Sequence, residues 1–145
     1  MLNRNERHAA IAQASGAQLN EIWGRVGLDP AFEMLRGPET GLVSLKGRIG
    51  GAGAPFPFGD ATATRASVRL SDGRVGHALL LGRDKERATI AAVVDALCCE
   101  DGDAKHVDAH LIEPLLAEIE SRDTNRAAQT AATRVDFFTM VRGED

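Results

Sequence analysis

The hydrophobic pattern of the first quarter of the chain is helical. Residues 4–14 favour a helix by composition. Ser15 is followed three residues later by Gln18, which is the spacing of a capping box and marks the start of a second helix. That helix is predicted to run to about Val26, because Gly27 is a typical residue just past a helix end.

The helical segment is predicted to end near Leu35. Asp29-Pro30 is typical of an N-cap followed by a first helical residue, which indicates one more short helix. The helical segment therefore covers about residues 4–35. An alternating pattern over residues 42–48 is the first strand signal after it.

The next two strands are predicted to form a β-hairpin. Residues 62–70 and 75–81 both alternate and are rich in β-branched or apolar side chains, and Asp72-Gly73 between them is a tight-turn signal. A glycine-rich loop at 50–59 precedes the hairpin. We expect two antiparallel strands joined at Asp72-Gly73.

Helical patterns return after the hairpin. Asp84 is a natural N-cap for a helix that ends at about residue 97. Its apolar stripe, which should cover the sheet, consists of Ile90, Val93, Val94 and Leu97. Residues 100–108 are charged and predicted to form a surface connection. The last helix should start or kink at Glu113-Pro114, since a proline inside a helix costs about 3 kcal/mol, and alanine-rich residues 126–132 can extend it.

The C-terminal stretch is dense in β-branched and aromatic residues. Read as a strand over about residues 134–142, it has Val135, Phe137, Thr139 and Val141 on one face and Asp136, Phe138 and Met140 on the other. Both faces are partly apolar, so we expect this strand to lie against its own helices or another protein.

These elements predict an α+β fold. We expect a two-layer domain in which a mainly antiparallel sheet of about four strands packs against helices. The sheet core would comprise about residues 42–82 together with the C-terminal strand. The length of 145 residues suits a single domain over 1–145.

Composition excludes several classes of function. The chain is 43% hydrophobic and 26% charged, with a formal net charge of −4, so neither nucleic acid nor an anionic membrane is an expected partner. No apolar run reaches the roughly 20 residues that cross a bilayer, and no secretory signal is recognisable, so we expect a cytoplasmic protein. The adjacent Cys98 and Cys99 have neither disulfide nor metal-site spacing.

The glycine-rich loop is the first candidate binding site. Pro55-Phe56-Pro57-Phe58 follows the glycines and cannot start the helix that a dinucleotide fingerprint requires. Backbone N–H groups could still bind an anion with help from Arg48, or the loop could dock a partner. The candidate anion or nucleotide contacts are Arg48, Gly50, Gly51, Gly53 and, beyond the hairpin, Arg83.

Other side chains indicate little chemistry. His106 and His110 are four residues apart, so one helix face could present both to a metal, but the sequence specifies no third ligand. His77 lies within a predicted strand, where packing is a better explanation for it than a role as a lone acid–base group. No nucleophile motif occurs, so neither a catalytic residue nor a metal site is predicted. Arginines near the strands could form ion pairs with aspartates or hold a phosphate-rich ligand; they are Arg48, Arg65, Arg69, Arg83, Arg134 and Arg142.

Three blocks of the sequence together resemble one known family. They are residues 39–43 leading to the glycines at 50–53, residues 59–70 with 82–85, and residues 134–143, which read Arg-Val-Asp-Phe-Phe-Thr-Met-Val-Arg-Gly. The chain resembles the PhnG subunit of the bacterial carbon–phosphorus lyase system.

The resemblance implies a role in phosphonate catabolism. That family's complex is taken to displace adenine from ATP with an alkylphosphonate, forming α-D-ribose 1-methylphosphonate 5-triphosphate. The implied partners are the H, I and J subunits and the ATPase-like L protein, with self-association as a further option. ATP would be the complex's substrate, with no cofactor held by this accessory chain. Interface candidates are Phe137, Phe138, Met140 and Arg142.

A second reading from a different class remains open at this stage. The chain could be a stand-alone small-molecule or metal-binding module that uses the glycine-rich loop or the His106/His110 pair.

Overall fold

Helices flank a three-stranded sheet in the chain order. The structure is a computed structural model and describes residues 2–134. Its elements are α1 (Arg4–Gln13), α2 (Gly16–Val26), β1 (Phe32–Arg48), a 3₁₀ turn (Ile49–Gly51), β2 (Pro55–Leu70), β3 (Val75–Leu81), α3 (Lys85–Leu97), α4 (Asp101–Val107), a π-helical turn (Asp108–Ile112) and α5 (Glu113–Ala132).

Side-chain caps define the two N-terminal helices. Asn3 and Glu6 form a capping box at the start of α1. The predicted capping box of α2 is confirmed: Ser15 Oγ accepts a hydrogen bond from the Gln18 backbone N–H at 3.2 Å, and Gln18 Oε1 accepts one from the Ser15 N–H at 3.1 Å. Gly27 follows in the left-handed conformation, with φ 74°, and ends α2 as expected.

The predicted short helix after Asp29-Pro30 is wrong. The helical segment ends at Val26, and β1 begins at Phe32, ten residues before the predicted strand. Phe32 pairs with Leu70 and Met34 with Val68 across the antiparallel ladder. Pairing with a distant strand outweighs the local helix signal, because strand formation depends mainly on cross-strand contacts.

A long two-stranded ribbon replaces the second half of the predicted glycine-rich loop. Strand β2 starts at Pro55, so the turn between β1 and β2 covers only residues 49–54. Strand β3 pairs with residues 63–69 of β2, whereas β1 pairs with β2 along its full length. Residues 42–62 therefore extend past the third strand as a two-stranded arm, called the ribbon below.

The predicted hairpin of β2 and β3 is confirmed. Strand β3 has the predicted bounds, and Gly73 in the turn has φ 94°. The antiparallel sheet has the order β1-β2-β3. Gly76, Ala78 and Leu80 face the helices, and alternate residues face away.

Helix α3 packs directly on the sheet. Asp84 caps it by accepting a hydrogen bond from the Arg87 N–H at 2.9 Å, as predicted. A Cβ atom on Gly76 would lie 2.1 Å from the Ala92 carbonyl oxygen, so the helix backbone and the strand are in immediate contact. The predicted apolar stripe of α3, Ile90, Val93, Val94 and Leu97, is buried in the core.

The predicted surface connection at residues 100–108 is wrong. It forms α4, which continues through the π-helical turn into α5. The wide turn lies directly before Pro114, so it accommodates a residue that has no N–H to donate. The prediction of a start or kink at Glu113-Pro114 is confirmed, and the alanine-rich extension reaches Ala132.

A buried ion pair anchors the π-helical turn to α1. Arg7 Nε lies 2.6 Å from Asp108 Oδ1, and Arg7 Nη2 lies 2.9 Å from Asp108 Oδ2. The Leu2 N–H also donates to Asp108 Oδ2 at 3.0 Å. The pKa of Asp108 is held below its ordinary value by the hydrogen bonds from Arg7.

The α+β two-layer architecture is confirmed. The described residues form three strands, and the predicted fourth strand at 134–142 falls almost entirely outside them. Among residues 2–134, no helix has the length and apolar character needed to cross a membrane.

Candidate functional site

The sheet face opposite the helices contains the main polar cleft. It has a volume of about 710 Å³ and is called the open-face cleft. Its charged and hydrogen-bonding lining includes Arg4 on α1, Arg36 and Glu39 on β1, Arg65 and Ser67 on β2, and His77 on β3. The cleft therefore draws residues from α1 and from all three strands.

Irregular strand geometry places Arg36 and Glu39 on the same face. The register of β1 against β2 shifts between Arg36 and Glu39, around Gly37, which has φ 72°. A Cβ atom on Gly37 would lie 2.7 Å from the Arg65 carbonyl oxygen, so a larger residue would not fit. The irregularity compensates for the odd spacing of the two side chains, since residues three apart in a regular strand point to opposite faces.

Glu39 holds two guanidinium groups. Its Oε1 atom lies 2.7 Å from Arg36 Nε and 2.6 Å from Arg65 Nε. These hydrogen bonds, first that of Arg36 and then that of Arg65, lower the pKa of Glu39. Within residues 2–134, the terminal nitrogens of both arginines have no hydrogen-bond partner, so they are available to a further acceptor.

Ser67 and His77 form a cross-strand pair in the same cleft. Ser67 Oγ lies 2.9 Å from His77 Nδ1. Asp95 on α3 accepts a hydrogen bond from the His77 backbone N–H at 2.8 Å and does not contact the imidazole. The three residues therefore differ from a catalytic triad, in which the carboxylate orients the histidine ring.

Asp95 also organises the edge of β3 and the end of the cleft. Arg4 donates to it from Nε at 2.6 Å and Nη2 at 2.8 Å, and His8 Nε2 lies 3.1 Å from Oδ1. Burial acts to raise the pKa of Asp95, but the hydrogen bonds from His8, Arg4 and the His77 N–H outweigh it and lower the pKa. The ionised carboxylate covers an otherwise free strand edge.

A smaller cavity of about 320 Å³ lies beside Asp95 and includes both cysteines. Burial raises the pKa of Cys98 to about 11, so this thiol is protonated at neutral pH. Cys99 is exposed. Both cysteines are free thiols.

The candidate anion contacts of the glycine-rich segment lie at the tip of the ribbon. Arg48 donates from Nη1 to the Gly53 carbonyl oxygen at 3.0 Å, and Gly50 and Gly51 have positive φ angles of 61° and 78°. Arg83 follows β3 at the base of the ribbon, about seven strand residues or roughly 23 Å from the tip. The structure does not bring Arg83 next to the loop.

Apolar side chains are unusually exposed on the ribbon and the open face. Leu42 is 71% exposed, Ile49 78% and Phe58 63%. Leu79 and Leu81, on the edge strand β3, are 60% and 63% exposed. Contiguous exposed apolar residues are typical of a surface that contacts another protein.

The two candidate metal-binding histidines have other partners. His106 Nε2 lies 2.9 Å from the Val26 carbonyl oxygen, at the end of α2, and His110 Nδ1 lies 3.0 Å from the His106 carbonyl oxygen. Their rings stack, with centroids 4.2 Å apart. Among residues 2–134, no group of three or more His, Cys, Asp or Glu side chains is placed to hold a metal.

The strand arginines pair mainly with glutamates. Arg65 contacts Glu39, and Arg69 Nε lies 3.2 Å from Glu33 Oε1. The aspartates proposed as partners are used otherwise: Asp60 accepts from Ser44, Asp72 pairs with Arg74, and Asp84 caps α3. The four interface candidates Phe137, Phe138, Met140 and Arg142 lie outside the described residues.

Sequence reasoning missed the centre of the cleft. Arg36 directly follows the predicted helical segment, which ended near Leu35, and precedes the first predicted strand, so its pairing with Glu39 and Arg65 was not foreseen. Arg4 and His8 on α1 lie 91 and 87 residues from Asp95 on α3 in the sequence. Gly37-Pro38 is a sequence that indicates a β-bulge, but only when the segment around it is already known to be a strand.

Comparisons with known proteins agree with the resemblance described above. The family model described as phosphonate metabolism protein PhnG matches residues 2–143. The chain is 49% identical over 142 residues to the alpha-D-ribose 1-methylphosphonate 5-triphosphate synthase subunit PhnG of Rhizobium meliloti (strain 1021). That alignment covers 98% of this chain and 90% of the relative. The chain therefore belongs to the PhnG family of phosphonate metabolism proteins.

Proposed function

We propose that this chain is a subunit of an alpha-D-ribose 1-methylphosphonate 5-triphosphate synthase and acts in phosphonate catabolism. The observation that carries the proposal is the 49% identity to the PhnG subunit of Rhizobium meliloti across 98% of this chain. Identity at this level over a whole domain supports the same place in the same kind of assembly. In this proposal the complex displaces adenine from ATP with an alkylphosphonate.

The chain's own contribution is proposed to be accessory. In the described part of the chain no carboxylate is hydrogen-bonded to the His77 imidazole, and the Cys98 thiol is protonated at neutral pH. Neither arrangement supplies an activated nucleophile. We therefore assign the displacement chemistry to another subunit and give this chain a role in assembly.

The ribbon is the proposed assembly surface. It combines exposed apolar side chains such as Ile49 and Phe58 with charged groups at its margins. A surface with an apolar centre and a polar rim is typical of stable protein interfaces. The proposed partners are the H, I and J subunits and the L protein, and ATP as substrate favours a cytoplasmic complex.

The anion-contact and interface residues that were predicted from the sequence are retained in the proposal. Arg48, Gly50, Gly51 and Gly53 at the ribbon tip would approach a partner or an anion held by it. Arg83 would act separately at the ribbon base. The terminal interface candidates Phe137, Phe138, Met140 and Arg142 are proposed to contact a neighbouring subunit.

Co-purification tests the proposal. The tagged chain should be co-expressed with the H, I and J subunits from the same source and analysed by size-exclusion chromatography with mass determination. We expect a complex of fixed stoichiometry that contains this chain. A chain that elutes alone while the other subunits assemble without it would refute the proposal.

Substitutions then locate the interface. Phe58→Ser on the ribbon should weaken co-elution, whereas Val75→Ser, at the other end of the open face, is the matched exposed control. Phe137→Ala and Phe138→Ala test the terminal segment in the same assay. Release of a folded chain indicates an interface residue, and loss of folding indicates a core residue.

The stand-alone binding module gains no support from the comparisons. Both the family match and the curated relative describe a phosphonate metabolism protein, and the relative is named as a synthase subunit. His106 and His110 are each bonded to a backbone carbonyl group.

A further inference from the structure

The open-face cleft has the features of an anion site centred on Arg36 and Glu39, which the sequence did not single out, together with Arg65, which it named only as one of six candidate arginines. Arg36 and Arg65 converge on one carboxylate, Glu39, and each uses only its Nε atom for it. Their remaining guanidinium N–H groups have no partner within residues 2–134. Two guanidiniums held side by side form the donor arrangement that recognises phosphate oxygens.

Glu39 fixes the position of the two arginines. Long arginine side chains on a strand surface normally lose conformational entropy when they bind a ligand. Here the hydrogen bonds of 2.7 and 2.6 Å to Glu39 already restrict both. The bulge around Gly37 brings Glu39 and Arg36 to the same face, so the backbone supports the arrangement.

The surrounding cleft favours a negatively charged ligand. Among residues 2–134, its three guanidinium groups, on Arg4, Arg36 and Arg65, contact two carboxylates, those of Glu39 and Asp95. The site therefore has an excess of positive charge, although the whole chain has a formal net charge of −4. The Ser67–His77 pair adds hydrogen-bonding groups on the next strand. The volume of about 710 Å³ lies within the range of small-molecule sites.

We propose that the open-face cleft binds a multiply charged phosphate-type oxyanion through Arg36 and Arg65, with Glu39 as the residue that positions both. This site is distinct from the ribbon tip, since it lies on the three-stranded part of the sheet at the pairing of Glu39 with Arg65. The inference follows from the charges and geometry of the cleft and does not depend on the proposed membership of a synthase complex.

Titration of the full chain with inorganic tripolyphosphate, followed by calorimetry, tests the site. Arg36→Gln and Arg65→Gln should each weaken binding about tenfold, the effect of losing one charge-assisted contact. Arg69→Gln is the matched control, because Arg69 lies on the same face of β2 and pairs with Glu33 outside the cleft lining. It should change affinity less than about twofold.

Glu39→Gln separates an anion site from a structural network. Glutamine keeps an oxygen for the arginine Nε atoms but removes the competing negative charge, so tripolyphosphate should bind severalfold more tightly. Three outcomes would each overturn the proposal. They are weaker tripolyphosphate binding by Glu39→Gln, an equal loss of affinity in Arg65→Gln and Arg69→Gln, and no binding by the wild-type chain. Circular dichroism confirms that each variant is folded.

The assembled complex provides the last arm of the test. Tripolyphosphate should still bind when the other subunits are present, and Arg36→Gln should leave assembly unchanged. If assembly blocks tripolyphosphate and Arg36→Gln releases the partners, the cleft receives an acidic segment of a neighbouring subunit and the proposal is wrong. Co-elution and anion binding are separate measurements. Anion binding by the free chain therefore tests this site even if the chain does not assemble with the other subunits.

Discussion

Gly76 lies where α3 and the sheet come closest. A Cβ atom there would lie 2.1 Å from the Ala92 carbonyl oxygen and 2.4 Å from the Ala96 backbone nitrogen. Both neighbours are backbone atoms of a buried helix, so neither can move aside without shifting the helix. The small residues of α3 and this glycine together set the spacing between the two layers.

We expect Gly76→Ala to lower the free energy of unfolding by about 3 kcal/mol, because the added methyl group forces α3 away from β3. Urea unfolding monitored by circular dichroism measures the change. Gly59→Ala is the control, since a Cβ atom on Gly59 meets nothing within 4 Å. Equal stability of the two variants would show that α3 does not press on the strand at Gly76.

The buried ion pair of Asp108 with Arg7 gives a second prediction for a single residue, and its effect on stability depends on pH. Its partner Arg7 is buried, so Asp108→Asn leaves an unpaired buried charge and should cost about 3 kcal/mol at neutral pH. Asp123→Asn removes an exposed partner of Arg122 and should change stability by less than about 0.5 kcal/mol.

The sign of the pH dependence follows from the lowered pKa of Asp108. A carboxyl whose pKa is lower in the folded state stabilises the protein above its unfolded pKa of about 3.9, and this stabilisation is lost as the pH falls through the folded value. The stability gap between wild type and Asp108→Asn should therefore be constant from pH 7 to 5 and shrink below about pH 4. A gap that persists at pH 2 would contradict the ion-pair explanation.

At the scale of elements, local signals predicted local structure. Ser15 and Asp84 were recognised as helix caps, and Asp72-Gly73 as a turn, because each depends on residues only a few positions apart. The start of β1 was missed because Phe32 is stabilised by Leu70, a partner that no local pattern reveals. Residues 100–108 were missed as helix for a similar reason: Val107 is buried in the core.

The same distinction applies to the candidate site. The ribbon-tip residues Arg48 and Gly53 were singled out because they are close in sequence, and they do interact. The open-face cleft depends on strand register, which places Glu39 opposite Arg65 and Ser67 opposite His77. Register follows from pairing and bulges and was not accessible before β1 was known to be a strand.

The ribbon is an element whose removal should leave the domain folded. Its outer part, residues 45–59, contributes no buried residue to the core. In the test variant, Asn-Gly replaces residues 45–59 and joins Ser44 to Asp60. We expect its free energy of unfolding to lie within about 1 kcal/mol of the wild-type value, because a two-residue turn can close the shortened hairpin. Urea unfolding measures stability, and co-elution with the partner subunits measures assembly.

The shortened chain should fold and fail to assemble. A matched control replaces Ile49–Gly51 at the tip with three serines and keeps the strands, which separates the tip from the ribbon as a whole. If the shortened chain co-elutes normally, the ribbon is not an assembly surface, and the terminal segment becomes the remaining candidate.

At the scale of the whole molecule, the core and the exposed surfaces are spatially separate. Helices α1 to α5 and the inner sheet face form one hydrophobic core, whereas the described part of the chain leaves the other sheet face and the ribbon uncovered by helix. A subunit built this way can keep its own fold independent of partners and use the uncovered surfaces for contacts.

Native-state hydrogen exchange should reveal this division. In the free chain, the buried residues Val68, Ala78 and Val94 belong to the core, so their amides should exchange only with global unfolding. Ribbon amides between residues 43 and 60 should exchange much faster, because a two-stranded ribbon without a core opens locally at little cost in free energy.

On assembly with the partner subunits, ribbon exchange should slow at least tenfold while core exchange stays the same. The helix segment 121–130, exposed but distant from the sheet, is the internal reference. Uniform slowing of all three regions would indicate general stabilisation and contradict docking through the ribbon.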